Sequence, residues 1–141
     1  MNTQRILSQF DEQIGFWIEE MEASKNDYPY LALAQSEVDR IAGVRKQFEI
    51  VVEAFEAHGV GLELANADES RWAIVLNDAS EPGKYRYQAF TGDGFYAHVT
   101  RDTLEDVLLE AVNDGFVKPC EGVLSSLAGT QQWRKGVMVT D

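Results

Sequence analysis

Cysteine is almost missing from this chain: Cys120 is the only one in 141 residues. An internal disulfide is therefore excluded, and a single thiol fits a reducing compartment. Histidine is nearly as scarce. His58 and His98 lie far apart, with no H-x-x-x-H or C-x-x-C, so the spacing of zinc ligands is absent. Neither Asp68 nor Asp78 opens a calcium loop, because the following glycine and the distal glutamate are missing. A glycine-rich phosphate cradle is missing too. Thr91-Gly92-Asp93-Gly94 has no lysine and joins one strand-like run to another. No apolar run approaches the length that crosses a membrane. The N-terminus has no basic region followed by an apolar stretch, so no signal peptide is expected. The reading is a soluble, cytoplasmic protein without cofactor or metal.

Basic side chains are also in short supply. The 24 acids against 12 bases give a formal charge of −12. Such a field repels nucleic acid and anionic membrane and attracts basic partners. The excess is not a tail: residues 1–58 hold 11 acids and 5 bases, residues 59–116 hold 11 and 4, and residues 117–141 hold 2 and 3. Acidity covers the folded body and stops at the C-terminal segment.

What remains is ordinary for a globular chain, with 45% hydrophobic and 26% charged residues. The length corresponds to a single domain over residues 1–141. Three parts are expected: a helical hairpin over 1–58, a ββββα unit over 59–116 and a C-terminal extension over 117–141. The fold class is α+β.

From Thr3 to Ser24, Leu7, Phe10, Ile14, Trp17 and Met21 step by three and four, a heptad-like seam that Ile6 and Ile18 widen. Lys25-Asn26-Asp27-Tyr28-Pro29 breaks this helix. A second helix starts at Pro29 or at Ser36 and ends near Ala57. Ala34, Val38, Ile41, Phe48, Val52 and Phe55 form its seam, with Arg45 the polar intruder. The two read as an antiparallel helical hairpin.

Beyond His58-Gly59 the period changes to two, the signature of strands. Val60, Leu62 and Leu64 begin it; then Trp72, Ile74 and Leu76; then Tyr85, Tyr87 and Ala89; then Phe95, Ala97 and Val99. The short connections make a four-stranded antiparallel meander. A helix follows, with Leu104, Val107, Leu108, Ala111 and Val112 in one apolar stripe facing the sheet. Its cap is expected at Asp102 or Thr100. Gly115 is placed as the left-handed C-terminal cap, with Phe116 folding back. After Phe116 the pattern weakens. Pro119 marks a bend, Glu121 to Ala128 reads as a short helix closed by Gly129, Trp133 docks on the body, and Val137-Met138-Val139 is an edge strand or no element.

Candidate sites are few. On the final long helix, Asp102, Asp106, Glu110 and Asp114 recur at i+4, roughly 6 Å apart along the axis. No Lys or Arg lies between Arg101 and Lys118 to offset them, so the row is either a solvated helix face or an acidic contact surface. Glu19 and Glu22 on the first helix join it as candidate partner-binding residues. Glu19-x-x-Glu22 and Glu53-x-x-Glu56 are not expected to hold magnesium, because they flank the apolar seams instead of pointing into a site. Cys120 and His98 are the residue types of a nucleophile–base pair, yet nothing in the spacing joins them. No catalytic residue is assigned. Tyr85, Tyr87, Phe90 and Tyr96 on neighbouring strands are expected to be core, with one or two left at an interface.

These features favour a non-catalytic module that binds a basic protein or nucleoprotein complex. In sharper form it is an inhibitor presenting carboxylates where phosphates would lie. In composition it is similar to small phage-encoded inhibitors of CRISPR or restriction complexes. Two alternatives remain. One is an assembly protein, a homodimer through Leu7, Phe10, Ile14, Trp17 and Met21. The other is a small-ligand binder with a pocket between sheet and hairpin.

Overall fold

The computed structural model describes residues 1–130 and Trp133. The chain forms two compact units, Met1–Glu49 and Ile50–Asp141.

The first unit is a helical hairpin. Helix α1 spans Thr3–Ala23 and α2 spans Tyr28–His58, its last turns lying in the second unit. Asn2 caps α1 by accepting the backbone N–H of Arg5. Asp27 opens α2 by accepting the N–H of Tyr30 at 3.2 Å, which places Pro29 in the first turn, where its missing N–H costs nothing. The start at Pro29 therefore holds over the start at Ser36. The helices run antiparallel: Phe10 packs on Phe48, Trp17 lies near Tyr30, and the Tyr30 hydroxyl donates to Glu20 at 2.7 Å. Arg45 is not a defect in its seam. Its guanidinium donates to Asp11 on α1 at 3.0 Å and to Glu49 on α2 at 2.7 Å.

The second unit is built on one antiparallel sheet. Strands β1 Glu63–Ala65, β2 Trp72–Asn77, β3 Tyr85–Thr91 and β4 Gly94–Arg101 follow the expected meander. A fifth strand, β5 Lys118–Cys120, pairs with β1, and the order is β4-β3-β2-β1-β5. Among the described residues the sheet therefore has five strands where four were expected. The bend assigned to Pro119 is instead a strand position opposite Leu64. Proline is tolerated there because β5 is the sheet edge, and three residues are too few to show a period.

Register fixes the faces. Trp72, Ile74 and Leu76 share one side with Phe90, and against it pack Trp133 and helix α4, Val123–Ala128, through Val123, Leu124 and Leu127. The Trp133 indole N–H donates to the carbonyl of Thr91 at 2.7 Å, so the expected docking and the short helix are both present. Ala73, Val75, Tyr87 and Ala89 share the other side, which α3, Leu104–Asn113, covers. Val107, Leu108, Ala111 and Val112 of its stripe are buried.

The cap of α3 is Thr103, not Asp102 or Thr100. Its hydroxyl oxygen accepts the Asp106 N–H, and the hydroxyl donates to the Asp106 carboxylate at 2.7 Å. At the other end Gly115 takes φ 94°, and the N–H groups of Gly115 and Phe116 return to the carbonyls of Val112 and Ala111. That pair of hydrogen bonds is the Schellman closure the glycine makes possible. Val137-Met138-Val139 lies outside the described residues.

Candidate functional site

Of the expected carboxylate row only Asp106 and Glu110 lie on α3: Asp102 precedes the extended cap Thr103, Asp114 is the C-cap, and the row is not unpaired. Asp102 lies 3.3 Å from Lys84 and Glu110 lies 3.3 Å from Arg101. Asp106 accepts the Thr103 hydroxyl, and Asp114 accepts the Tyr87 hydroxyl. Lys84, Arg101 and Tyr87 come from the strands and loops that α3 covers, which a scan along the helix alone cannot see. Exposure is uneven: the Asp102 side chain is 81% exposed and that of Glu110 is 35%. The row is thus a set of positioned carboxylates, with Asp102 facing a lysine that Glu81 shares and Glu110 facing Arg101. Burial, and then the Asp114 carboxylate, hold the Tyr87 phenol well above its usual range, so it stays a donor at neutral pH.

The hairpin presents a different surface. Glu12, Glu19 and Glu22 of α1 are exposed, and among them stand two large apolar side chains. Phe16 is 53% exposed and Ile18 is 51% exposed. Phe16 follows Glu12 by four and precedes Glu19 by three; Ile18 precedes Glu22 by four. On a helix these are neighbours. Leu33 on α2 is 52% exposed. Two grooves flank the helix pair. One is lined by Phe16, Trp17 and Ile41 with Glu12, Glu37 and Arg40, the other by Ile18, Met21, Leu31 and Val38 with Glu22 and Lys25. Leu7, Phe10, Ile14, Trp17 and Met21, the residues expected to carry a homodimer, are buried or partly buried, and Phe10 and Trp17 pack on α2. The open apolar groups lie beside that seam.

The nucleophile candidates do not converge. Cys120 lies on β5 and His98 on β4, at opposite edges of the five-stranded sheet. Cys120 instead lines a cleft with His58, Leu62 and Pro119. Burial, with smaller contributions from Glu63 and Glu69, pushes its thiol up to about 11. Such a group is a weak nucleophile at neutral pH. Glu53 and Glu56 are exposed, and no group of three potential metal ligands occurs among the described residues. No helix among them is long and apolar enough to cross a membrane. Of the sheet aromatics, Tyr87 and Phe90 are core, while Phe95 and Tyr96 remain about half exposed.

Two polar clusters had no sequence signal. Asp78 accepts the N–H groups of Ser80 and Glu81 and the Thr100 hydroxyl, and lies 3.5 Å from Arg86, tying the β2–β3 loop to β4. Glu63 is buried on β1, and its carboxylate accepts the N–H groups of Val123 and Leu124 at the start of α4. Both carboxylates are bonded within the fold, so they read as structural, although the buried Nε of Arg86 beside Asp78 has no partner.

Compared with protein-family models, with curated proteins and with solved structures, the chain matches none.

Proposed function

We propose that this protein is a non-catalytic, protein-binding module whose carboxylate-rich surface receives a basic protein or nucleoprotein complex. One observation carries the reading: Phe16 and Ile18 stand half exposed on α1 among Glu12, Glu19 and Glu22. Apolar anchors encircled by charge are how protein interfaces concentrate affinity, with the anchors supplying energy and the rim supplying selection. The net charge of −12 supplies long-range steering toward a basic surface. The row Asp102, Asp106, Glu110 and Asp114 contributes to that steering and less to the contact itself, because Lys84 and Arg101 already engage two of its members. In its sharper form the module inhibits a nucleic-acid-binding partner by occupying the phosphate-binding surface, as phage-type inhibitors of CRISPR or restriction complexes do. Cys120 and His98 stand at opposite sheet edges, and burial raises the Cys120 thiol, so these two residues do not support a nucleophile–base pair.

The test is capture of partners by the tagged full-length chain at low salt, followed by elution with salt or with duplex DNA. A basic protein retained near 0.1 M salt should leave as the screening length falls from about 10 Å toward 3 Å at 1 M. DNA should displace it. A captured partner indifferent to both salt and DNA would overturn the reading.

A further inference from the structure

We infer that the groove lined by Ile18, Met21, Leu31 and Val38 is the seat of a basic amphipathic helix supplied by the partner, an inference that rests on the protein-binding reading above. The groove is made by two helical stripes. Ile18, Met21, Glu22 and Lys25 recur at i, i+3, i+4 and i+7 on α1, and Leu31, Gln35 and Val38 at i, i+4 and i+7 on α2. They line an open groove of about 560 Å³. Seven residues further along the same stripes, Asp11 and Arg45 join α1 to α2 at 3.0 Å.

Shape selects a helix. A trough between two antiparallel helices accepts the side-chain ridge of a third, which completes a three-helix bundle. Leu31 and Val38 stand roughly 10 Å apart along α2, the span of an i, i+7 pair on the incoming helix. A polar metabolite fits poorly. The polar groups on the walls are already engaged, Gln35 donating to Asp39 at 2.9 Å and Lys25 lying 3.5 Å from Glu22. No convergent set of donors is left to orient a small polar molecule.

Charge selects the sign. Lys25 is the single cation on the walls, and Glu22 faces it. Glu19 lies one turn before Glu22, and Asp39 follows Val38 directly, both exposed. The rim therefore keeps an acidic excess that favours Lys or Arg flanking the apolar stripe of the incoming helix and disfavours Asp or Glu.

The probe is a labelled amphipathic peptide of about 18 residues, five turns, with Leu at i, i+3, i+4 and i+7 and Lys on both flanks. It is titrated into the full-length chain beside a Glu-flanked twin and a twin broken by central proline. The Lys-flanked peptide should bind saturably, with the Glu-flanked twin about tenfold weaker or more and the proline twin silent. Ile18→Asp should weaken the Lys-flanked peptide about tenfold. Glu22→Lys should weaken that peptide and strengthen its Glu-flanked twin, a reversal that loss of folding cannot imitate. Equal binding of the two twins, binding of the proline twin, or insensitivity to both substitutions would overturn the inference. Should the peptides fail while a basic partner is still captured and released by salt, this inference falls and the docking reading stands. Should charge reversal hold with no such partner found, the groove assignment stands and the docking reading falls.

Discussion

The buried carboxylate of Glu63 accepts the backbone N–H of Val123 at 2.9 Å, joining strand β1 to the first turn of α4 across 60 residues of chain. Leu124 donates to the same oxygen at 3.0 Å. Two N–H groups that no helical carbonyl can reach are thereby satisfied. The contact also holds Val123, Leu124 and Leu127 against Ile74, Phe90 and Trp133. Glu63→Ala removes the acceptor and should cost about 1–2 kcal/mol. Thermal unfolding should report the loss, and tryptophan emission should shift to the red as the Trp133 cluster loosens. Unchanged melting and unchanged emission would show that α4 docks without this bond.

Tyr87 links the sheet to the end of α3 through Asp114. Its phenol is raised from an ordinary value of 10.0, first by burial and then by Asp114. A raised folded value stabilises the protein fully below about pH 10. Above that, the unfolded chain ionises while the folded one resists, so stability falls as pH rises toward the folded value. Tyr87→Phe should flatten this alkaline loss while costing about 1 kcal/mol at neutral pH, where Asp114 loses its donor. Denaturant unfolding at pH 7 and near pH 11 separates the two effects.

Cys120 should be a slow thiol. With its titration pushed up to about 11, about one thiol in a thousand is ionised at pH 8. Reaction with a disulfide reagent should therefore accelerate about a hundredfold on unfolding, and steadily with pH in the folded protein. Rapid labelling of the native chain at pH 8 would reopen the cleft with His58 as a reactive site.

Much of the fold is legible in the residues because periodicity records burial. The seams of α1 and α2, the alternation of β2 and β3, and the stripe of α3 all face what they were expected to face, whereas in β4 a register shift at Ala89/Phe90 puts Phe95 on the Phe90 side and Ala97 and Val99 on the Tyr87 side. Gly115 with Phe116 is legible for a sharper reason, since a left-handed residue followed by an apolar one has few other uses at a helix end. Lys118–Cys120 is not legible, because a three-residue edge strand containing Pro119 has no pattern of its own. Its position follows from pairing with Glu63–Ala65.

The candidate surface divides the same way. The i+4 spacing of Asp102, Asp106, Glu110 and Asp114 is visible in the chain, whereas Lys84 and Tyr87 arrive from a loop and a strand distant in sequence, and the flanking Arg101 meets Glu110 only through the fold. Glu19 and Glu22 stand out as charge. Their value as a rim depends on Phe16, which lies outside the heptad seam, and on Ile18, which widens the seam yet remains half exposed. Asp78 is an extreme of this kind. Its carboxyl is held below the usual range first by the N–H of Glu81, with Thr100, Ser80 and Arg86 adding to it. That contribution to stability is present above about pH 4 and lost as pH falls through the folded value. Asp78→Asn should therefore lower the melting midpoint at pH 7 and leave acid unfolding less steep.

The most direct measurement is the binding kinetics of the salt-released partner against three forms of the full-length chain. These are the native protein, a Phe16→Ala/Ile18→Ala variant, and a variant with Asp102, Asp106 and Asp114 changed to Asn and Glu110 to Gln. Loss of the two anchors should accelerate dissociation about thirtyfold, equivalent to about 2 kcal/mol. The α3 variant should mainly slow association, by an amount that vanishes at high salt. An anchor variant that binds as tightly as the native chain, beside an α3 variant that no longer binds, would contradict the assignment of α1 as the docking face.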